Sequence, residues 1–173
     1  MADREEAGAG PILAGRAAEL VALLRLQPHP EGGFYREVLR AADSVDPADG
    51  RGARSALTSI DFLLARGQFS AWHRVASDEV WHLLEGAGLR LWAMPPTLDR
   101  IECIDLGAAS ATRTPRHTVL AHWWQAAEPL GDFAYVGATV GPGFDFTDFA
   151  FMRGDRIATA ALARLRPELA RLL

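Results

Sequence analysis

The chain has 173 residues, 49% hydrophobic and 23% charged, and its 18 basic and 22 acidic side chains leave a net charge of −4. That length suits one domain and not two, and the weak acidity excludes a nucleic-acid footprint or a polybasic membrane patch. Every cation is arginine, which removes Schiff-base chemistry on lysine, and the single cysteine, Cys103, removes intramolecular disulfides and Cys-cluster metal sites.

Residues 1–11 are small and acidic and read as a tail, without the apolar core of a secretory signal. No apolar run reaches the ~20 residues a membrane-spanning helix needs, so a cytoplasmic protein without membrane or nucleic-acid partners is expected. From Ile12, the residues Leu13, Ala17, Leu20, Val21 and Leu24 recur at three- and four-residue spacing. That spacing predicts a helix with one apolar face, ending before Pro28 and Pro30. Beyond Phe34, short alternating runs are cut by Gly, Pro and Asp, which predicts strands near 33–40, 55–65, 69–75, 79–85, 88–94, 100–106, 116–121, 123–128 and 132–140. The polar segment 43–53 carries Pro and Gly without periodicity and reads as a loop. At the end, Ile157, Ala161, Leu162, Leu165, Leu169 and Leu172 share one helical face interrupted by Pro167, which predicts a short helix or pair of turns over 156–173. Nine strands between two helices predict an all-β domain over 12–155 with a C-terminal helical extension; spacing alone leaves an immunoglobulin-like sandwich open.

The chemistry concentrates in Gly67 to Gly86, where a strand carrying His73 turns at Ala76-Ser77-Asp78 and returns carrying Glu79. Two adjacent antiparallel strands bring such residues onto one face. Imidazole nitrogen with carboxylate oxygen suits Zn, Fe, Mn or Ni, and equally suits acid–base work.

The spacing Gly67, five residues, His73, one residue, Val75, three residues, Glu79, six residues, Gly86 resembles the first signature of the cupin superfamily. The wider match is to its DUF985, or cupin-5, group. The motifs that carry it are Pro28 to Glu37, Phe69 to Arg74, Ser77 to His82, Trp124-Gln125-Ala126, and Gly141 to Phe146. The resemblance implies a single double-stranded β-helix, the cupin jelly-roll barrel, here with a helix at each end, and a homodimer; strand 33–40 is the candidate for its exchanged or interfacial element. It does not fix a reaction, because this fold hosts many.

The chain departs from the signatures in two places. Val75 stands where a second metal-binding His is normal. The second signature would place Pro, Gly and His where this chain has Leu120, His122 and Gln125. His122 therefore marks either a remodelled turn or a different pocket.

The candidate catalytic residues are His73, Glu79, His82 and Tyr35, although strict alternation sets His82 on the face opposite Glu79 and Trp81. Trp81, Arg36, Phe144 and His122 are candidates for substrate contact, with an edge-strand ion pair as the other reading of Arg36. His117 reads as a surface residue and His29 as structural. A divalent metal, if one is held, would sit on His73, Glu79 and Gln125, with His122 or His82 adding a ligand. Three classes of function follow for a small-molecule ligand. The first is an isomerase or epimerase acting beside a carbonyl on a sugar-like or other carbonyl substrate, with His73 as base, Tyr35 or His82 as acid and Glu79 orienting the imidazole or sharing its proton. The second is a metal-dependent lyase, isomerase or oxygenase. The third is a binding module without turnover. Two good ligands and an amide hold a transition metal poorly, which favours the first.

Overall fold

Four layers make up the molecule: a helix, a six-stranded sheet, a five-stranded sheet and a second helix. The computed structural model describes residues 13–173, so the expected tail over 1–11 lies outside the described residues. Helix α1 (Gly15–Leu24) buries Ala17 and Leu20 and ends where Arg25 turns left-handed (φ 54°), its N–H returning to the helix carbonyls. The strands that follow are β1 (Gln27–Pro28), β2 (Phe34–Arg40), β3 (Ser44–Val45), β4 (Arg54–Ser55), β5 (Thr58–Ala65) and β6 (Ser70–Val75). After them come β7 (Asp78–Gly86), β8 (Leu89–Met94), β9 (Glu102–Leu106), β10 (Arg116–Val119), β11 (Trp124–Pro129), β12 (Phe133–Gly141) and β13 (Phe149–Phe151). Helix α2 (Arg156–Leu165) starts on an Asp155 cap and gives way at Pro167 to a 3-10 helix, Pro167–Leu172.

The larger sheet runs β1-β2-β5-β12-β7-β10 and the smaller β13-β6-β11-β8-β9, with β3 and β4 as a separate ribbon. All nine expected strands are present, because alternation is a direct consequence of facing a core on one side. Phe62, Leu64, Trp81, Leu91, Val119 and Val136 point between the sheets and form the inner core. The opposite faces are also covered. Leu63 and Ala65 meet α1, while Trp72, Trp92 and Trp124 meet Leu162, Leu169 and Leu172 of the C-terminal segment.

Three expectations are corrected here. Strands β6 and β7 are not ladder partners: the turn after Val75 carries the chain from one sheet to the other, so β6 pairs with β11 and β7 with β12 and β10. Ile157 leaves the apolar face expected of it and is 75% exposed, since the helix turns Ala158, Ala161 and Leu162 toward the core and Ile157 falls to the side of that face. His117 is half-buried, facing inward with Val119 rather than lying on the surface. Among the described residues, no helix is long and apolar enough to cross a membrane.

Candidate active site

One end of the space between the sheets is left open as a cavity of about 320 Å³. Its apolar wall comes from Ile60, Val75, Ala138 and Val140 on the strands and from Phe144, Phe146 and Phe149 on the segment crossing from β12 in the larger sheet into β13 in the smaller. Phe144 packs edge-on against Phe146 (centroids 5.0 Å apart), and Phe149 stacks on the His73 ring (5.3 Å, 21° between planes). The crossing segment is tied down: Gly143 N–H donates to Ser55 O (2.7 Å), Phe144 N–H to Thr58 Oγ1 (2.9 Å), and the Asp148 carboxylate accepts from Arg51 and Arg54.

The polar wall is built by register. Gln125 of β11 lies directly opposite His73 of β6, so both side chains enter the interior from the smaller sheet, His73 at the cavity wall and Gln125 buried beside it. Glu79 and Trp81, two apart on β7, enter from the larger one. The meeting of His73 with Glu79 is therefore across the interior rather than along a hairpin. Trp81 Nε1–H donates to Gln125 Oε1 at 3.0 Å. An indole N–H has no acceptor capacity, so the amide must present its oxygen to Trp81. Its NH2 then faces inward, donating to Glu79 Oε2 and lying 3.1 Å from His73 Nε2.

The other imidazole nitrogen, Nδ1, has the Ala71 carbonyl at 2.8 Å and Glu31 Oε2 at 2.6 Å. Both are acceptors, so Nδ1 carries the hydrogen. Glu31 also accepts from Ser70 Oγ. It arrives from the β1–β2 connection, whose close approach depends on Gly32: a Cβ there would lie 2.0 Å from Phe69 O, at φ +114°. His29 of the same turn lines the cavity, its Nδ1 accepting from Glu31 N–H (3.3 Å) and its ring edge-on to Tyr35 (4.4 Å).

Burial and the neighbouring charges set the protonation of this cluster. Burial pulls the His73 imidazole down, but the charge and hydrogen bond of Glu31, with the charge of Glu79, outweigh it and raise it to about 9. Burial pushes the Glu79 carboxyl up to about 7, against the attraction of His73 and with the repulsion of Glu31. Glu31 ends below the ordinary carboxylate range: its own burial works upward, but the charge and hydrogen bond of His73 prevail. Burial lowers His29 against the charge of Glu31 and keeps it neutral.

His73, Glu79, Gln125 and Trp81 thus come together: His73 and Glu79 line the cavity with Tyr35 and Phe144, while Gln125 and Trp81 are buried beside it. Three candidates are placed elsewhere. His82 faces outward on β7, as its alternation with Trp81 requires. Arg36 also points away and binds Asp61 at 2.9 Å, because Tyr35 and Glu37 hold the inward positions of β2. His122 occupies the left-handed position of a turn (φ 67°), where a glycine would be unstrained. It lines an outer depression that shares only Phe149 with the cavity. The sequence reading missed Glu31, His29, Glu37 and Arg40. The signal for the first two was a His-Pro-Glu-Gly-Gly run of chemistry-bearing residues beside paired glycines.

A divalent metal does not fit this donor set. Gln125 offers its NH2, not its carbonyl, to the space between His73 Nε2 and Glu79, which leaves two ligands where catalytic sites supply three. Among the described residues, no group of three or more His, Cys, Asp or Glu is arranged to hold an ion.

Comparison with known proteins agrees with the architecture. The family model described as cupin superfamily (DUF985) matches residues 18–152. A solved protein from Shewanella oneidensis is 30% identical over 92% of this chain and 98% of its own, with a TM-score of 0.77. A hypothetical protein from Leishmania major is 28% identical over 87% of this chain and 98% of its own, with a TM-score of 0.75. Oxalate decarboxylase from Bacillus subtilis shares the fold at 15% identity, with 84% of this chain covering 36% of that one and a TM-score of 0.55. No curated protein matches the chain. The chain belongs to the DUF985 family of the cupin superfamily.

Proposed function

We propose that this DUF985 cupin is an acid–base isomerase or epimerase acting on a small, uncharged, sugar-like carbonyl compound. The observation that carries the reading is the buried pair His73 and Glu79, raised to about 9 and about 7, facing one cavity while Glu31 orients the imidazole from behind. A base whose pKa lies near neutrality combines a useful fraction of the ionised form with basicity enough to act. At neutral pH, Glu79 takes the proton from the carbon beside the carbonyl. The electron pair of that C–H bond moves toward the carbonyl oxygen, which receives a proton from His73 Nε2. Glu79 then returns its proton to that carbon or to the former carbonyl carbon, while an enediol hydroxyl gives its proton back to His73 Nε2, which restores both side chains and yields substrate or its aldose–ketose isomer. The roles expected from sequence are exchanged in this reading: Glu31, not Glu79, orients the imidazole, and His73 acts as the acid. With His73 protonated, Nε2–H and the Gln125 NH2 are donors 3.1 Å apart. His73 lines the cavity while Gln125 is wholly buried beside it, so an incoming carbonyl oxygen accepts from His73 Nε2–H.

The charge of the cavity supports an uncharged substrate. Arg40 is the sole guanidinium among its lining residues. Its Nε and one NH2 are taken by Glu37 at 3.0 and 2.7 Å, and its remaining nitrogen by the Phe144 carbonyl at 3.1 Å. With Glu31 and Glu79 deeper inside, no unpaired cation awaits a carboxylate or phosphate. The test is proton NMR in deuterium oxide with a panel of neutral aldoses and ketoses. Solvent deuterium at the carbon next to the carbonyl is expected, slowed a hundredfold or more in Glu79→Gln and in His73→Gln. Exchange that persists in Glu79→Gln overturns the mechanism, and binding without exchange makes the cavity a ligand-holding one.

A further inference from the structure

We propose that the Trp81 indole, by fixing which end of the Gln125 amide faces inward, keeps this cavity closed to divalent metal ions, and that one amide rotation would open it. The inference stands apart from the turnover reading, since metal binding is read directly. Its basis is the asymmetry of two groups. Trp81 Nε1–H can only donate, and it is buried against Gln125 Oε1 at 3.0 Å. Gln125, wholly buried, therefore spends its only good metal-binding atom on the indole and directs its NH2 at Glu79 and His73 Nε2. A cation placed between His73 and Glu79 would meet N–H hydrogens.

Turning the amide over would bring Oε1 to the same place and complete a nitrogen-and-two-oxygen set, of the kind that suits zinc or cobalt. The turn would leave Trp81 Nε1–H facing an NH2, and a buried donor without an acceptor opposes it. Removing the indole N–H removes that cost. Trp81→Phe should therefore bind the ion about tenfold tighter or more, since ~1.4 kcal/mol is a factor of ten. Gln125→His goes further and supplies an imidazole at the position directly opposite His73.

The experiment titrates chelator-treated protein with Co2+, following its visible absorption, and with Zn2+ by calorimetry. Thermal melting confirms that each variant is folded. Wild type is expected to show no cobalt band, Trp81→Phe to bind Zn2+ at least tenfold tighter than wild type, and Gln125→His to take one equivalent with visible bands that His73→Ala abolishes. Two results overturn the proposal. One is a wild-type protein that holds one equivalent through dialysis and loses it in His73→Ala. The other is a folded Trp81→Phe that binds Zn2+ no better than wild type. If Gln125→His fails to fold, the Trp81→Phe comparison decides alone.

Discussion

Glu31 Oε2 lies 2.6 Å from His73 Nδ1, joining the turn between β1 and β2 to the middle of β6 in the other sheet. The contact makes the imidazole a stronger base at its far nitrogen and fixes which nitrogen faces the cavity. Replacing Glu31 by Gln keeps the shape and removes the charge. The His73 pKa, followed by NMR of the ring protons, is then expected to fall by one unit or more, in line with the loss of an adjacent opposite charge. An unchanged His73 titration would show that the carboxylate does not set the imidazole's charge.

The same cluster makes folding stability depend on pH, and the sign follows from the direction of the shifts. His73 stands at about 9 in the folded protein against an ordinary 6.5. The folded state holds that proton more tightly, so the stabilisation is whole below about 6.5 and is lost as pH climbs through 9. Glu79, raised from 4.5 to about 7, contributes in the same sense lower down, between those two values. Urea denaturation at pH 6.5 and at pH 9 should show stability falling toward the higher pH, and His73→Gln should flatten that fall. A wild-type profile that rises from pH 6.5 to 9 would contradict the imidazolium.

Gly32 is required by the approach of the β1–β2 turn to β6, and not by flexibility. Its backbone is at φ +114° and its Cα faces the Phe69 carbonyl, with Glu31 O accepting from Ala71 N–H at 2.8 Å just beside it. Gly32→Ala should cost ~2–4 kcal/mol in urea denaturation, combining backbone strain with a displaced turn. Because Glu31 rides on that turn, the His73 titration should shift in the same variant. Gly50→Ala offers the control, since a Cβ there meets nothing within 4 Å and only its φ of +88° resists.

How much of this was legible in the letters depended on periodicity. Strands β2 and β5 to β12 announce themselves by alternation, and alternation also sends Glu79 and Trp81 inward and His82 outward. Where the period breaks, the reading breaks with it. The β2 ladder slips between Glu37 and Leu39, and that slip lets Glu37 and Arg40 both face the cavity, which a strict two-residue alternation does not allow. Glu31 lies in a turn, and its partner His73 is known only once the two sheets are folded against each other. The left-handed His122 has no sequence signal except the glycine it replaces. Strands β1, β3, β4 and β13 are two or three residues long, too short to carry a pattern; β1 and β13 exist because longer neighbours offer them an edge, and β3 and β4 pair only with each other.

Strand β2 also carries the prediction for assembly. β1 covers it only at Phe34 and Tyr35, so its edge from Arg36 to Arg40 pairs with no strand among the described residues. Val38 and Leu39 stand 48% and 44% exposed on that stretch, with Leu57 and Val45 also exposed nearby in the chain. An open apolar edge is an invitation to pairing, and a two-fold axis lets the same edge serve both copies. We propose a homodimer closed through β2. Sedimentation equilibrium at tens of micromolar should give twice the chain mass for wild type and a shift to the single-chain mass for Leu39→Glu, whose carboxylate would be buried at the join. Because Leu39 lies beside the ladder slip that aims Arg40 at the cavity, the dimer should also steady the cavity mouth, and Leu39→Glu should loosen ligand binding as it separates the copies. Wild-type protein sedimenting as a single chain at that concentration would remove both expectations together.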